Sequence, residues 1–210
     1  MKIMAPPFIL SVVLITVCCL VFVKNEPLTV KGEEKKIPPV RTGIYLLLFT
    51  LSIAIVFRGI HYLWGLFIIP LVLLFMDWRA LTKVDYGLLL TFVFFFIFAG
   101  NMARIEEVRE ILSGLLSKNT LVFSAASCQV ISNVPSAVLL SRFTENFPAL
   151  LVGVNIGGAG TLIASLASLI TFREYLKHNP GKTGYYIKMF SAFNFGFLII
   201  LTLFMLFIQS

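Results

Sequence analysis

The stretch SNVPSAVLLS, residues 132–141, decides the fold because it combines membrane-like composition with polar, helix-breaking residues. It ends a long run without charged residues, yet it contains Asn133 and Pro135, and Pro lacks an N–H group and disfavours helix at the residue before it. A second uncharged run, 147–172, contains NIGGAGT at 155–161, where an Asn again stands beside helix breakers. Two polar breaks at membrane depth indicate more than a plain spanning helix.

The composition places the chain in a membrane. Hydrophobic residues make up 59% of it, charged residues 13%, and the mean hydropathy is +0.96, outside the range of ordinary soluble domains. Long apolar blocks exclude charged residues, apart from Lys188 in the last block. The blocks are 6–23, 42–57, 62–76, 86–103, 119–141, 147–172 and 185–208. A spanning helix needs about 20 apolar residues, so the sequence predicts an all-α, polytopic membrane protein.

The charges and cysteines argue against several classes of function. The net charge of +7 does not indicate nucleic acid as a partner, because the basic residues are spread over the loops between the apolar blocks. Cys18, Cys19 and Cys128 lie in apolar blocks without C-x-x-C spacing and are expected to be small membrane-embedded side chains. No apolar block contains His, Asp or Glu, which disfavours an enzyme, a metal site and a bound cofactor.

The distribution of Lys and Arg favours a re-entrant hairpin at 119–141. If this block enters and leaves on one side, about six spans remain, and the inside loops carry eleven of the 17 basic residues. If the block crosses once, the two sides carry eight and nine, and the expected inside excess disappears. The hairpin places both termini outside, with residues 1–23 as the first span and 24–41 as a cytoplasmic linker. A single Pro-kinked helix is the alternative.

The segment 104–118 precedes the hairpin and carries its apolar residues at helical spacing. These residues are Ile105, Val108, Leu112 and Leu115. The pattern predicts a short amphipathic helix in the membrane interface, and a solvated connector is the alternative.

The block 147–172 is long enough to span but contains four glycines, Gly153, Gly157, Gly158 and Gly160. Because Gly is a poor helix former, the sequence predicts a helix broken around 155–161. The alternative is close helix packing, since Gly153 and Gly157 have the G-x-x-x-G spacing. A broken helix exposes carbonyl and N–H groups, and a hairpin beside such a helix is how secondary transporters build a site at mid-membrane.

The two motifs resemble those of the ion transporter superfamily, which includes arsenite permeases, NhaD-type sodium–proton antiporters, and citrate and dicarboxylate carriers. SNVPSAVLLS and VGVNIGGAGTLIASLASLI are similar to its second-repeat signature, most strongly over 121–175. The resemblance implies an inverted-repeat carrier in which a hairpin tip and an unwound helix from each repeat meet at the substrate. The binding positions that it implies are Ser132, Asn133, Val134, Ser136, Asn155, Gly157, Gly158, Gly160 and Thr161.

The chain has one hairpin and one broken helix, whereas such carriers have two of each. Residues 42–210 are similar to a single C-terminal repeat, and the first block resembles the span that closes a first repeat. We therefore expect the C-terminal half of a longer ion-coupled permease, a secondary active transporter of a small carboxylate or oxyanion. The alternative is a transport-inactive fragment or interaction subunit that needs a partner half.

The expected partners are the lipid bilayer, the small anion, and either an N-terminal half or further copies of the chain. The expected location is the cell membrane, plasma or inner, with several spans. Because the apolar blocks lack carboxylates, we expect Na⁺ rather than H⁺ as the coupling ion, held at the same residues by carbonyl, Asn and Ser oxygens.

Overall fold

A computed structural model describes residues 3–23 and 38–209, and these residues form helices joined by short turns, with no strand among them. The predicted linker at 24–41 falls largely outside the described residues. The helices are α1 (Ala5–Phe22), α2 (Pro39–Val56), α3 (Tyr62–Met76), α4 (Trp78–Thr82), α5 (Tyr86–Met102), α6 (Glu106–Lys118), α7 (Thr120–Ile131), α8 (Asn133–Leu140), α9 (Phe147–Ile156), α10 (Leu166–His178) and α11 (Thr183–Gln209). The chain is a helical membrane protein, as its composition predicts.

Three of the described helices are long and apolar enough to cross a bilayer, namely α1, α2 and residues Thr183–Ile208 of α11. Helices α5 and α6 meet at a bend of 95° and give a fourth candidate if the pair counts as one span. Helices α3, α7 and α9 have 15, 12 and 10 residues. A membrane span needs about 20 residues, so each of these helices is shorter than a typical span. The number of six spans therefore stays a prediction.

The chain divides into two compact units, one of Met1–Lys24 with Leu90–Ser210 and one of Asn25–Leu89. In the second unit, Asp77 follows α3 and binds two side chains of α2. Its Oδ2 accepts a hydrogen bond of 2.7 Å from the Tyr45 hydroxyl and an ion-pair contact from Arg41 Nη2. The hydrogen bond from Tyr45 and the Arg41 guanidinium hold the pKa of Asp77 below its ordinary value. The carboxylate thus stays ionised at neutral pH and ties the end of α3 to the start of α2.

The first unit is built around α7, which contacts α6, α8, α9 and a single 3₁₀ turn, Leu162–Ala164. Two buried clusters lie on its sides. One contains Leu116, Cys128, Leu140, Phe143, Leu150 and Val154, and the other contains Leu121, Ala149, Val152, Ile156, Leu201 and Met205. Helix α1 packs on α11, where the rings of Phe22 and Phe193 meet edge to face at 5.2 Å.

Helix α6 packs only part of its predicted apolar stripe, together with Leu116, against the rest of the protein. Leu116 is 1% exposed, and Val108 and Leu112 pack against the same cluster. Ile105 and Leu115 remain 39% and 38% exposed. The buried residues are spaced by four, as one ridge of a helix packed against a neighbour is, so the partner and not the amphipathic pattern alone sets the face.

Candidate functional site

The uncharged block 119–141 forms two short helices that fold back on each other. Only Ser132 separates α7 from α8, with φ 72° and ψ 158°, a backbone conformation that is uncommon for a residue other than Gly. The Oγ atoms of Ser127 and Ser136 lie 3.0 Å apart. In a continuous helix, residues nine apart are separated by about 13.5 Å along the axis, so the chain reverses at Ser132.

We call Ser132 and Asn133 the hairpin tip. The Oδ1 atom of Asn133 accepts a hydrogen bond of 2.8 Å from the N–H of Val134. Pro135 lies in the first turn of α8, where its missing N–H removes no bond within the helix. The side of the membrane from which the hairpin enters stays a prediction.

The block 147–172 is divided into α9 and α10. Helix α9 ends at Ile156, and the connection, residues 157–161, is called the break below. Gly160 has φ +113°, in the region that favours Gly. After the 3₁₀ turn, α10 begins behind Ser165, whose side chain makes no capping bond.

Gly153 of α9 and Gly157, directly after its last residue, also pack closely on α7, as the alternative interpretation expects. A Cβ atom on Gly153 would lie 2.6 Å from the carbonyl oxygen of Leu121 on α7. One on Gly157 would lie 2.8 Å from the Sγ of Cys128 and 2.9 Å from the Cα of Ala125. The segment therefore packs closely on α7 up to Gly157, where the break begins.

A residue that the sequence interpretation did not single out, Gln129 of α7, connects the hairpin to the break. Its Nε2 atom lies 3.0 Å from the carbonyl oxygen of Ala125, 2.9 Å from that of Gly157 and 3.0 Å from that of Ala159. Its Oε1 accepts a hydrogen bond of 2.9 Å from the N–H of Thr161. The Thr161 hydroxyl donates to the backbone carbonyl of Gln129 at 3.0 Å.

Five of the nine predicted positions meet where the hairpin tip reaches the break. The Ser132 hydroxyl donates to the carbonyl oxygen of Ala164 at 3.3 Å. The Asn133 Nδ2 lies 3.2 Å from where a Cβ on Gly158 would be. Gly160 and Thr161 complete this set, through their contacts with Gln129.

The other four positions have different surroundings. Ser136 is fully buried between α7 and α8, and Gly157 is buried against α7. Val134 is 46% exposed. Asn155 is also exposed, and its Nδ2 donates to the carbonyl oxygen of Leu151 at 2.7 Å.

The polar groups at this junction are hydroxyl, carboxamide and backbone groups. No group of three or more His, Cys, Asp or Glu that could hold a metal ion occurs in the part of the chain that the structure describes. The polar groups at the junction are therefore neutral oxygen atoms and N–H groups. Which of the nine positions contact a substrate stays a prediction.

Two curated proteins resemble the chain. It is 39% identical over 129 residues to a protein of Methanocaldococcus jannaschii named Uncharacterized transporter MJ0456. The matched region covers 61% of this chain and 36% of that protein. It is 35% identical over 134 residues to Inner membrane protein YbiR of Escherichia coli. This second match covers 62% of this chain and 35% of that protein. The chain spans about a third of the length of the curated relatives it matches. No family model and no solved structure matches it.

Proposed function

We propose that the chain supplies one repeat of a secondary active transporter for a small carboxylate or oxyanion. The observation that carries this proposal is the junction of the hairpin tip with the break, formed by Ser132, Asn133, Gly158 and Thr161 within uncharged blocks. Interrupted helices of this kind, buried in protein, are a recurring means of placing polar backbone at membrane depth.

The chemistry of the junction suits an anion that binds together with a cation. The N-terminus of α10 points N–H groups and the positive end of a helix dipole toward the segment before Leu166, and Ser165 leaves it without a side-chain cap. The carboxamide of Asn133 supplies a donor and an acceptor at the junction, and the exposed Asn155 offers another carboxamide outside it. Hard cations such as Na⁺ bind neutral oxygens of the same kind.

The two relatives support membrane transport as the general role. One is named a transporter and the other an inner membrane protein, and neither name indicates an enzyme. Together with the apolar helices, they favour a location in the plasma or inner membrane. The outside position of both termini follows from the charge count and is part of the proposal.

The surroundings of Asn155 support a site that needs a second repeat. An exposed carboxamide within an apolar block is unfavourable in lipid, where it lacks enough partners. We propose that Asn155 and Val134 face the matching repeat, from an N-terminal half or a second copy. The alternative function, a transport-inactive fragment or interaction subunit, also requires a partner half.

The proposal predicts that Asn133 and Asn155 matter more for binding than for folding. The protein would be purified from its native membranes with any partner chain, and its melting temperature measured with citrate or succinate as probe anions. For Asn133→Ala and Asn155→Ala we expect near-normal insertion and loss of the anion-induced shift in melting temperature, because the lost donors contact the anion.

Asn194 of α11 provides a matched control. Its Nδ2 donates to the carbonyl oxygen of Phe190 at 2.9 Å, four residues earlier, as that of Asn155 does to Leu151. The Asn194→Ala variant should keep the full anion-induced shift. If the Asn133 and Asn155 variants also keep it, the proposed site is wrong.

A further inference from the structure

We infer that Gln129 is the positioning residue of the break: its carboxamide holds residues 157–161 unwound against α7. The inference concerns the conformation of the segment and not a contact with substrate. It therefore stands or falls independently of the proposed function.

The break cannot satisfy its own polar groups. The N–H groups of Gly157, Gly158 and Ala159 bond to carbonyls three or four residues earlier, so the last carbonyls of α9 keep local partners. The carbonyls of Gly157 and Ala159 lie beyond the end of the helix and have no helical N–H to accept from. Within a membrane protein, such carbonyls need donors from elsewhere in the protein. Gln129 supplies them, because its Nε2 lies within 3.0 Å of the carbonyl oxygens of both Gly157 and Ala159.

The carboxamide also fixes the far side of the break. Its Oε1 accepts from the N–H of Thr161, so one side chain bonds to the first, third and fifth residues of the segment. The Nε2 contact with the carbonyl oxygen of Ala125, at 3.0 Å, holds the side chain to its own helix. The position of the break is thus set by α7.

The backbone of the break is shaped around this side chain. A Cβ atom on Gly160 would lie 2.2 Å from the Gln129 Oε1, so any larger residue would collide with it. The Thr161 hydroxyl adds a separate bond to the Gln129 backbone carbonyl, and this bond does not depend on the side chain at position 129.

Three substitutions at position 129 would weaken the hydrogen bonds to the break for distinct reasons. Glutamate has the same shape but, when ionised, has no hydrogen to donate to the two carbonyls. Leucine is of similar size but satisfies no polar group. Asparagine keeps the carboxamide on a side chain that is one methylene shorter. These three substitutions therefore separate hydrogen bonding from volume and from reach.

Cys128 provides a native reporter for the position of the break. It is fully buried, its Sγ donates to the carbonyl oxygen of Ser124 at 3.1 Å, and the backbone of Gly157 covers it. Displacement of the break would expose this thiol. Cys18 and Cys19 of α1, which are not buried, would be replaced by Ala so that only Cys128 reacts.

The experiment measures the rate at which N-ethylmaleimide labels Cys128 in the full chain, purified in detergent. We expect Gln129→Leu and Gln129→Glu to accelerate labelling roughly tenfold or more, because each leaves the carbonyls of Gly157 and Ala159 without the carboxamide donor. Gln129→Asn should give a smaller acceleration. Thr161→Val, which keeps the carboxamide bonds, should have the least effect.

A second reporter separates local displacement from general loss of stability. In a chain with Cys128→Ala, a cysteine is placed at Ala149, which is 7% exposed in the other buried cluster. The inference requires faster labelling at Cys128 without faster labelling at position 149. Equal acceleration at both positions overturns it, and so does a Gln129→Glu variant that labels at the rate of the unmodified chain.

Discussion

A single methyl group is too large for the space at Gly157. A Cβ there would lie 2.8 Å from the Cys128 Sγ and 2.9 Å from the Ala125 Cα, and the second of these atoms belongs to a backbone that cannot turn aside. Gly157→Ala should therefore lower the free energy of unfolding by about 1–3 kcal/mol. The measurement is equilibrium unfolding of the purified chain in mixed micelles.

Gly196 of α11 is the control for that substitution. It also lies in a helix, but nothing is within 4 Å of the position that its Cβ would take. Gly196→Ala should raise the free energy of unfolding by about 0.5–1 kcal/mol, because Ala is the better helix former. Equal effects of the two substitutions would show that α9 does not pack on α7 as described.

The residues that sequence reasoning could find are those that carry a local signal. Gly160 and Ser132 have positive φ angles. The poor helix propensity of Gly near the first, and the Asn–Val–Pro sequence after the second, each indicate that a helix ends nearby. Gln129 has no such signal, since its partners are about thirty residues away. The one available hint is a carboxamide inside an uncharged block. Ser136 belongs to the sequence motif, but its burial against Ser127 depends on the fold-back itself and carries no local signal.

At the scale of elements, the hairpin gives a prediction about sidedness. Cysteines placed at Lys118 and Arg142 should react with a membrane-impermeant thiol reagent from the same side of sealed vesicles. A cysteine at Lys182, in the turn between α10 and α11, should react from the opposite side. Labelling of positions 118 and 142 from opposite sides would contradict the hairpin and return the block to a single crossing.

The limits of the helices were predictable where charges or Pro mark them. Block 62–76 coincides with α3, and block 86–103 exceeds α5 by one residue, because a charged residue at the end of an apolar run also ends its burial in lipid. The buried face of α6 was not predictable in the same way. Leu115 and Leu116 are equally apolar neighbours, and only packing in the cluster with Cys128 and Leu140 selects Leu116.

At the scale of the whole molecule, we expect transport to depend on Na⁺. The apolar blocks contain no Asp or Glu, so this chain supplies no membrane carboxylate to carry a proton. Uptake of labelled citrate or succinate into native membrane vesicles would be compared in Na⁺ and K⁺ media, with and without a protonophore. Uptake that ignores Na⁺ but stops with the protonophore would contradict the expectation.

The shortness of α7 and α9 has an electrical consequence. Helices of 12 and 10 residues rise about 18 and 15 Å, roughly half of a hydrocarbon core of about 30 Å. In the proposed orientation both start at the outer face, so the hairpin tip and the break lie near the middle of the membrane's electric field. A monovalent ion that reaches them along a path too narrow for bulk water crosses about half of the voltage, worth about 1 kcal/mol per 100 mV. Binding alone, before any movement of the protein, would then depend on membrane potential.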